Sequence, residues 1–213
     1  MKKFILIKLA VLLFGFAVLY PQEQGYIQSA YDAIMRGNYE QAAENYSKVI
    51  DKNPSYFLAY YGRGLAFAGM KKYNESIADF SKTLELDKNY HQAFYARGLS
   101  YLKLNMFQDA VDNFTSALKI EKNNSLYYYS RANSYSFLGK NDEALNDYSK
   151  AIENDPQNGF AYYGRGVIHK LEKRGAAAIK DFDRYLEING NKDGLAKEVQ
   201  RLITEIQNEG KED

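Results

Sequence analysis

Few residues of this 213-residue chain suggest chemistry, and most of them recur. Gly62-Arg63-Gly64 and Gly164-Arg165-Gly166 look faintly like nucleotide loops. A phosphate cradle needs a third glycine at the right distance and a strand before it, and neither tripeptide has them. Both read instead as close-packing points inside helices. His91 and His169 are the two histidines, and the chain has no Cys. Thiolate metal sites, disulfides and Cys lipidation are therefore excluded. No nucleophile–base motif and no closely spaced acidic series of the calcium-loop kind is present. The expectation is a non-enzyme with no cofactor and no metal, and with His169 as a satisfied core imidazole. Asn45, Asn74, Asn113 and Asn123 head Asn-x-Ser/Thr triplets. All but Asn123 fall within helical pattern, so the triplets read as chance products of an Asn-rich chain.

One charged series stands out. Arg63, Arg97, Arg131 and Arg165 recur every 34 residues. Asp79, Asp147 and Asp181 recur at the same interval, with Asn113 in the remaining place. In an antiparallel helical hairpin these residues face one another. A planar guanidinium suits a partly buried fork onto a carboxylate. The pairs Arg63–Asp79, Arg131–Asp147 and Arg165–Asp181 are expected to bridge helices. The alternative is an arginine row that binds acidic ligands.

The elements that position these residues follow from the apolar pattern. Residues 125–156 hold two helical stripes, Tyr128/Ala132/Tyr135 and Ala144/Tyr148/Ala151, on either side of Leu138-Gly139-Lys140-Asn141. Each stripe needs the other to cover it. Such a hairpin is too small to stand alone, and the chain supplies further copies. Tyr26, Tyr60, Phe94, Tyr128 and Tyr162 form one series at intervals of 34. Ala30, Gly64, Gly98, Ala132 and Gly166 form a second; Ala42, Ser76, Ala110, Ala144 and Ala178 a third. Tyr46, Phe80, Phe114, Tyr148 and Phe182 form a fourth.

A helix-turn-helix period of 34 resembles the tetratricopeptide repeat. With repeats numbered from Glu23, Phe57, His91, Ser125 and Gly159, positions 4, 8, 20 and 24 match that family throughout, Ser76 excepted. Position 11 is aromatic at Phe67, Tyr101 and Tyr135 but Ala33 and His169 at the ends. Position 7 departs most, with Arg in place of the family's Leu. The resemblance implies an all-α, right-handed superhelical solenoid with repeats at 23–56, 57–90, 91–124, 125–158 and 159–192. A capping helix is expected over 192–208, with Leu195, Val199, Leu202 and Ile206 on one face, since solenoids need a polar-faced cap.

The family's concave surface is lined by positions 2, 5, 9 and 12 of the first helices. Here that implies a groove of Tyr61, Leu65, Tyr95, Leu99, Leu102, Tyr129, Asn133 and Tyr163, aromatic and apolar at its centre. Family members that grip acidic carboxyl termini place Lys, Arg and Asn there. This chain has Asn133 and little else, so the expected ligand is a protein or peptide segment with apolar anchors.

Formal charge is +1, from 28 basic and 27 acidic residues. Without Lys2, Lys3 and Lys8 the chain has 25 basic residues against 27 acidic, a net of −2. No basic stripe is present for nucleic acid. Those lysines belong to residues 1–21, where two Lys precede an apolar run over 4–20 interrupted only by Lys8. The layout is that of an export signal or a short membrane anchor. Cleavage after Ala17 would leave a mature chain starting near Val18; an uncleaved run would hold the chain on the membrane. The remaining alternative is an extra apolar helix on the first repeat. The expected setting is periplasmic, or membrane-anchored and facing outward.

Overall fold

The computed structural model describes residues 21–190, 192 and 194–212. The apolar run over 4–20, on which the expected export signal or anchor rests, lies outside the described residues. Among these residues there are eleven helices and no strand. They are α1 (Pro21–Met35), α2 (Tyr39–Lys52), α3 (Phe57–Gly69), α4 (Tyr73–Leu86), α5 (His91–Lys103), α6 (Phe107–Ile120), α7 (Ser125–Phe137), α8 (Asn141–Asn154), α9 (Gly159–Leu171), α10 (Gly175–Asn189) and α11 (Ala196–Glu212). They form two compact units, one ending at Tyr90 and one starting at His91. The boundary falls at an ordinary repeat junction, with no linker or change of composition to mark it. In each unit every helix packs on its neighbours in sequence.

The two helices of a repeat are joined by the same turn five times. Position 15 takes a left-handed conformation at Gly37 (φ 77), Lys71 (φ 61), Asn105 (φ 58), Gly139 (φ 71) and Lys173 (φ 58). The next amide then reaches back five residues: Asn38 N donates to Ala33 O at 2.8 Å, Lys72 N to Phe67 O at 2.9 Å, Arg174 N to His169 O at 2.8 Å. This closes the carbonyls left open at a helix C-terminus. Glycine enters that conformation freely; lysine does so at a cost. At Lys71 and Lys173 the packing of the two helices imposes it.

The four periodic series meet in the core. Ala42, Ser76, Ala110, Ala144 and Ala178 are fully buried, and so are Phe80, Phe114 and Phe182. Ser76 keeps the required small size and satisfies its hydroxyl on Tyr73 O at 2.8 Å. Position 27 is also sealed, by Val49, Thr83, Ala117, Ala151 and Tyr185. Tyr185 is large because it faces the terminal helix. It joins Phe182, Val199, Ile203 and Ile206 in one cluster.

The C-terminal helix differs from expectation in its bounds. It runs over Ala196–Glu212, not 192–208. Gly190 (φ 54) and Gly194 (φ 80) break the chain before it can start. Val199, Ile203 and Ile206 form its buried face, while Leu195 and Leu202 pack at the margin.

Candidate partner-binding face

The arginine series is built into the hairpins. Arg63 Nε and Nη2 donate to the two Asp79 oxygens, both at 2.8 Å. Arg131 forks onto Asp147 at 2.6 and 2.9 Å, and Arg165 onto Asp181 at 2.8 and 2.8 Å. Arg97 Nε donates to Asn113 Oδ1 at 2.8 Å. In the first repeat the same two positions hold a neutral pair, Asn45 Nδ2 donating to Ser29 Oγ at 3.0 Å. The carboxylates are buried and the guanidiniums nearly so. Hydrogen bonding to Asp79 and Asp181 raises the Arg63 and Arg165 pKa values. At Arg131 burial opposes the charge, and the Asp147 carboxylate outweighs it. Burial pushes Arg97, on a neutral amide, below its usual value.

Each paired guanidinium also reaches the repeat before it. Arg63 Nη1 donates to Ser47 Oγ at 3.0 Å, Arg131 Nη1 to Thr115 Oγ1 at 2.9 Å, and Arg165 Nη1 to Ser149 Oγ at 3.0 Å. The cations also sit over aromatic rings: Arg131 Cζ lies 5.7 Å from the Tyr128 centroid and 5.9 Å from the Tyr135 centroid. The hydroxyls at 47, 115 and 149 were legible in sequence as another series of period 34, with Ser81, and sequence reasoning passed over them. With their forks filled by Asp, these arginines act as staples between helices and between repeats. They are not an open row for acidic ligands.

Asn45 and Asn113 are buried, the former on Ser29 and the latter donating to Asp109 O, which removes both as glycosylation acceptors. His91 Nδ1 lies 2.9 Å from the Tyr127 hydroxyl. His169 differs from the satisfied imidazole expected. Its Nδ1 is buried without a hydrogen-bond partner, and its Nε2 is 4.0 Å from Asp181. Burial lowers its pKa; Asp181 and Glu172 oppose that, and Arg165 and Arg174 reinforce it. A histidine whose folded pKa is depressed contributes full stability above its unfolded pKa of about 6.5 and loses it as pH falls through the folded value. His169→Phe, which restores the ring found at Phe67, should flatten that acid limb in pH-dependent urea melts. It should also add about 1 kcal/mol at neutral pH by removing the orphaned nitrogen.

The tyrosines expected to line the groove are half-buried, and each leans on the core. Tyr61 packs edge-on to Tyr90 at 5.0 Å and against Phe80 at 5.8 Å. Tyr95 stacks on Tyr127 at 4.7 Å and meets Phe114 at 5.6 Å. Tyr129 meets Tyr148 at 6.2 Å. Asn133 accepts a 2.6 Å bond from the Tyr148 hydroxyl, so its amide also serves the core. Burial raises the Tyr148 pKa, and pushes that of Tyr46 up to about 12.

In the second unit α5, α7 and α9 are neighbours, so their exposed faces adjoin. Leu99 (37% exposed), Leu126 (48%) and Phe160 (40%) present apolar surface there, beside the half-buried Tyr95, Leu102 and Tyr129. Leu126 and Phe160 stand at position 2, which sequence reasoning named as groove-lining without singling them out. The far end of this face is closed by α11. Tyr163 and Val167 pack against its cluster, and Lys170 Nζ meets Glu205 Oε2 at 2.7 Å. Tyr163 itself meets Phe182 at 6.1 Å and Tyr185 at 5.5 Å, both on α10. In the first unit Tyr61 and Leu65 are half-buried on α3.

Tetratricopeptide repeat profiles match residues 57–90 and 125–158, a further form of the repeat matches 91–124, and a TPR repeat profile matches 34–71. No curated protein matches the sequence. Among solved structures, MamA residues 41 to the end from Desulfovibrio magneticus RS-1 is 19% identical with a TM-score of 0.76, over 83% of this chain and 100% of that one. A crystal structure of MamA is 23% identical at TM-score 0.72, over 76% and 95%. YrrB, described as a TPR protein with an unusual peptide-binding site, is 25% identical at TM-score 0.69, over 83% and 90%. Repeat profiles that follow one another without a gap from residue 34 to 158, on helical hairpins of the same register, establish that this chain belongs to the tetratricopeptide repeat family.

Proposed function

We propose that the chain is a non-enzymatic scaffold that captures a protein segment on the first-helix face of its repeats, within the cell envelope. The observation that carries this reading is the apolar surface of Leu99, Leu126 and Phe160 over a bed of half-buried tyrosines on α5, α7 and α9. A contiguous apolar surface rimmed by polar residues is the usual mark of a protein contact. Rigid aromatic and aliphatic anchors suit an extended or helical segment with apolar side chains of its own. YrrB, of similar fold, has a peptide-binding site, which supports a peptide ligand here. The leader over residues 1–21 supports export, either cleaved or kept as an anchor. Assembly or anchoring of an envelope complex is the corresponding role.

The test has two arms. Residues 1–30 fused to a reporter active only after export should give activity beyond the membrane; a soluble cytoplasmic reporter sinks the envelope setting. For the groove, the partner recovered by the full chain should lose about tenfold or more in affinity for the double variant Leu126→Ser/Phe160→Ser, since each central anchor contributes about 1–2 kcal/mol. Unchanged binding by a folded double variant removes this face as the site. Binding that instead collapses with salt assigns the contact to charge.

A further inference from the structure

Four first helices carry Tyr at position 5, and each of these rings meets the position 24 ring of its own repeat. Tyr61 lies on Phe80, Tyr95 on Phe114, Tyr129 on Tyr148 and Tyr163 on Phe182, with centroids 5.8, 5.6, 6.2 and 6.1 Å apart. In three of these repeats a second, buried ring joins the pair. Tyr90 is 5.0 Å from Tyr61, Tyr127 is 4.7 Å from Tyr95 and Tyr185 is 5.5 Å from Tyr163. These rings come from three different positions: 34 for Tyr90, 3 of the following repeat for Tyr127, and 27 for Tyr185. The ring angle varies as well, from 86° for Tyr90 to 27° for Tyr127. What recurs is an aromatic ring at this place beside the tyrosine.

The fourth repeat leaves the place without one. Its three supplying positions hold Ala151, Asn158 and Ala161. Among the described rings, Tyr148 is the one neighbour of Tyr129. Tyr129 packs against the cluster that includes both alanines, so methyl groups stand beside it. Ser125 and Asn158, both half-buried, form a polar rim. Asn158 Nδ2 donates to Ser125 Oγ at 3.1 Å, and Ser125 Oγ donates to Ala151 O at 2.7 Å. In the second and third repeats Phe57 and His91, at the position of Ser125, touch the second ring at 5.2 and 5.8 Å. Leu126 and Phe160, the exposed side chains of the proposed peptide face, adjoin Ser125 and Ala161 in sequence. None of these residues is charged, so the site suits a neutral group.

An aromatic pair gains more than the area it buries, and a tyrosine hydroxyl finds hydrogen-bond partners at a polar rim. We propose that the captured segment seats an aromatic side chain, Tyr or Phe, against Tyr129, at the place that Tyr90, Tyr127 and Tyr185 fill from within the chain. The proposal rests on the peptide face described above and assigns the chemistry of its anchor.

The first probe is p-cresol, the side chain of tyrosine, titrated into the full chain with alanine methyls labelled for NMR. Its ring current should shift the Ala151 and Ala161 methyls saturably, and 3-methylbutanol should not. Asn158→Tyr supplies the ring from the position of Tyr90 and should abolish the shift at unchanged helicity. Ala161→Tyr supplies it from the position of Tyr127, keeps the Asn158 cap on α9 and should abolish the shift at Ala151. No saturable shift, or the same shift in the folded variants, overturns the proposal. Random peptides selected on the full chain should share a Tyr or Phe whose change to Leu costs about tenfold in affinity. Asn158→Tyr should cost as much, and the two losses should not add, since both remove one contact. Peptides that lose affinity for Leu126→Ser/Phe160→Ser yet bind Asn158→Tyr like wild type overturn this inference and leave the face standing. Peptides that ignore Leu126→Ser/Phe160→Ser, with the p-cresol shift intact, overturn the face and leave the aromatic site standing.

Discussion

Asp147→Ala is expected to lower the stability of the second unit by about 3–5 kcal/mol, the cost of leaving a buried charge without its partner. Asp147 is 1% exposed and Arg131 15%, so water cannot replace the carboxylate. Arg131 would keep one bond to Thr115 and its place between Tyr128 and Tyr135, and lose both arms of its fork. Arg131→Lys should cost nearly as much, since a point charge supplies neither the fork nor the planar guanidinium over the rings. The double change Arg131→Leu/Asp147→Ala, with the family's usual Leu at that position, should recover most of the loss. Replacing a buried pair by apolar groups is often near neutral. Urea melts followed by circular dichroism measure all three. Equal midpoints for Asp147→Ala and wild type would show that the fork carries no stability.

The second large effect is a substitution that ordinarily stabilises. Ala is a better helix former than Gly by about 1 kcal/mol. Gly25→Ala, where an added Cβ meets nothing within 4 Å, should gain about that much. Gly164→Ala should instead cost about 1–3 kcal/mol by overpacking. Its Cβ would fall 2.4 Å from Cζ of Tyr148, a ring that is 3% exposed and tied through its hydroxyl to Asn133. The five repeats contain the remedy. Where position 24 is Tyr (Tyr46, Tyr148), its own position 8 is Ala and the next repeat has Gly62 or Gly164 at position 6. Where it is Phe (Phe80, Phe114), position 8 is Gly and the next repeat has Ala96 or Ser130. The Phe rings press on the first helix of their own repeat, 2.7 Å from a Cβ at Gly64 or Gly98, while the Tyr rings press on the first helix of the next repeat. Gly164→Ala combined with Tyr148→Phe and Ala132→Gly should therefore melt close to wild type. If the triple change melts no higher than Gly164→Ala alone, the pairing of ring and glycine is coincidence.

The all-helical fold, the period of 34, the hairpin breaks and the Arg–Asp pairs were all legible in the residue pattern. Each rests on local spacing or on two positions brought together by one antiparallel hairpin. The proposed peptide face was legible only in part. Tyr95 and Tyr129 hold the positions expected of them, yet their rings spend half their surface on Phe114, Tyr127 and Tyr148. The exposed apolar side chains there are Leu99, Leu126 and Phe160. Tyr163 leans in the same way on Phe182 and Tyr185, and α11 begins at Ala196 because Gly190 and Gly194 take up positive φ.

By itself, then, the sequence determined which residues form helices, where those helices break and which face each one buries. Apolar period and turn chemistry act over a few residues and repeat faithfully. Tertiary structure alone decided which repeat each ring presses on, that Lys71 and Lys173 adopt a conformation suited to glycine, and that Arg63, Arg131 and Arg165 clamp the hydroxyl of the preceding repeat. These outcomes depend on how closely two helices approach and on which side chain reaches a shared space first. That competition involves atoms from three or four helices at once, and no single stretch of chain encodes it.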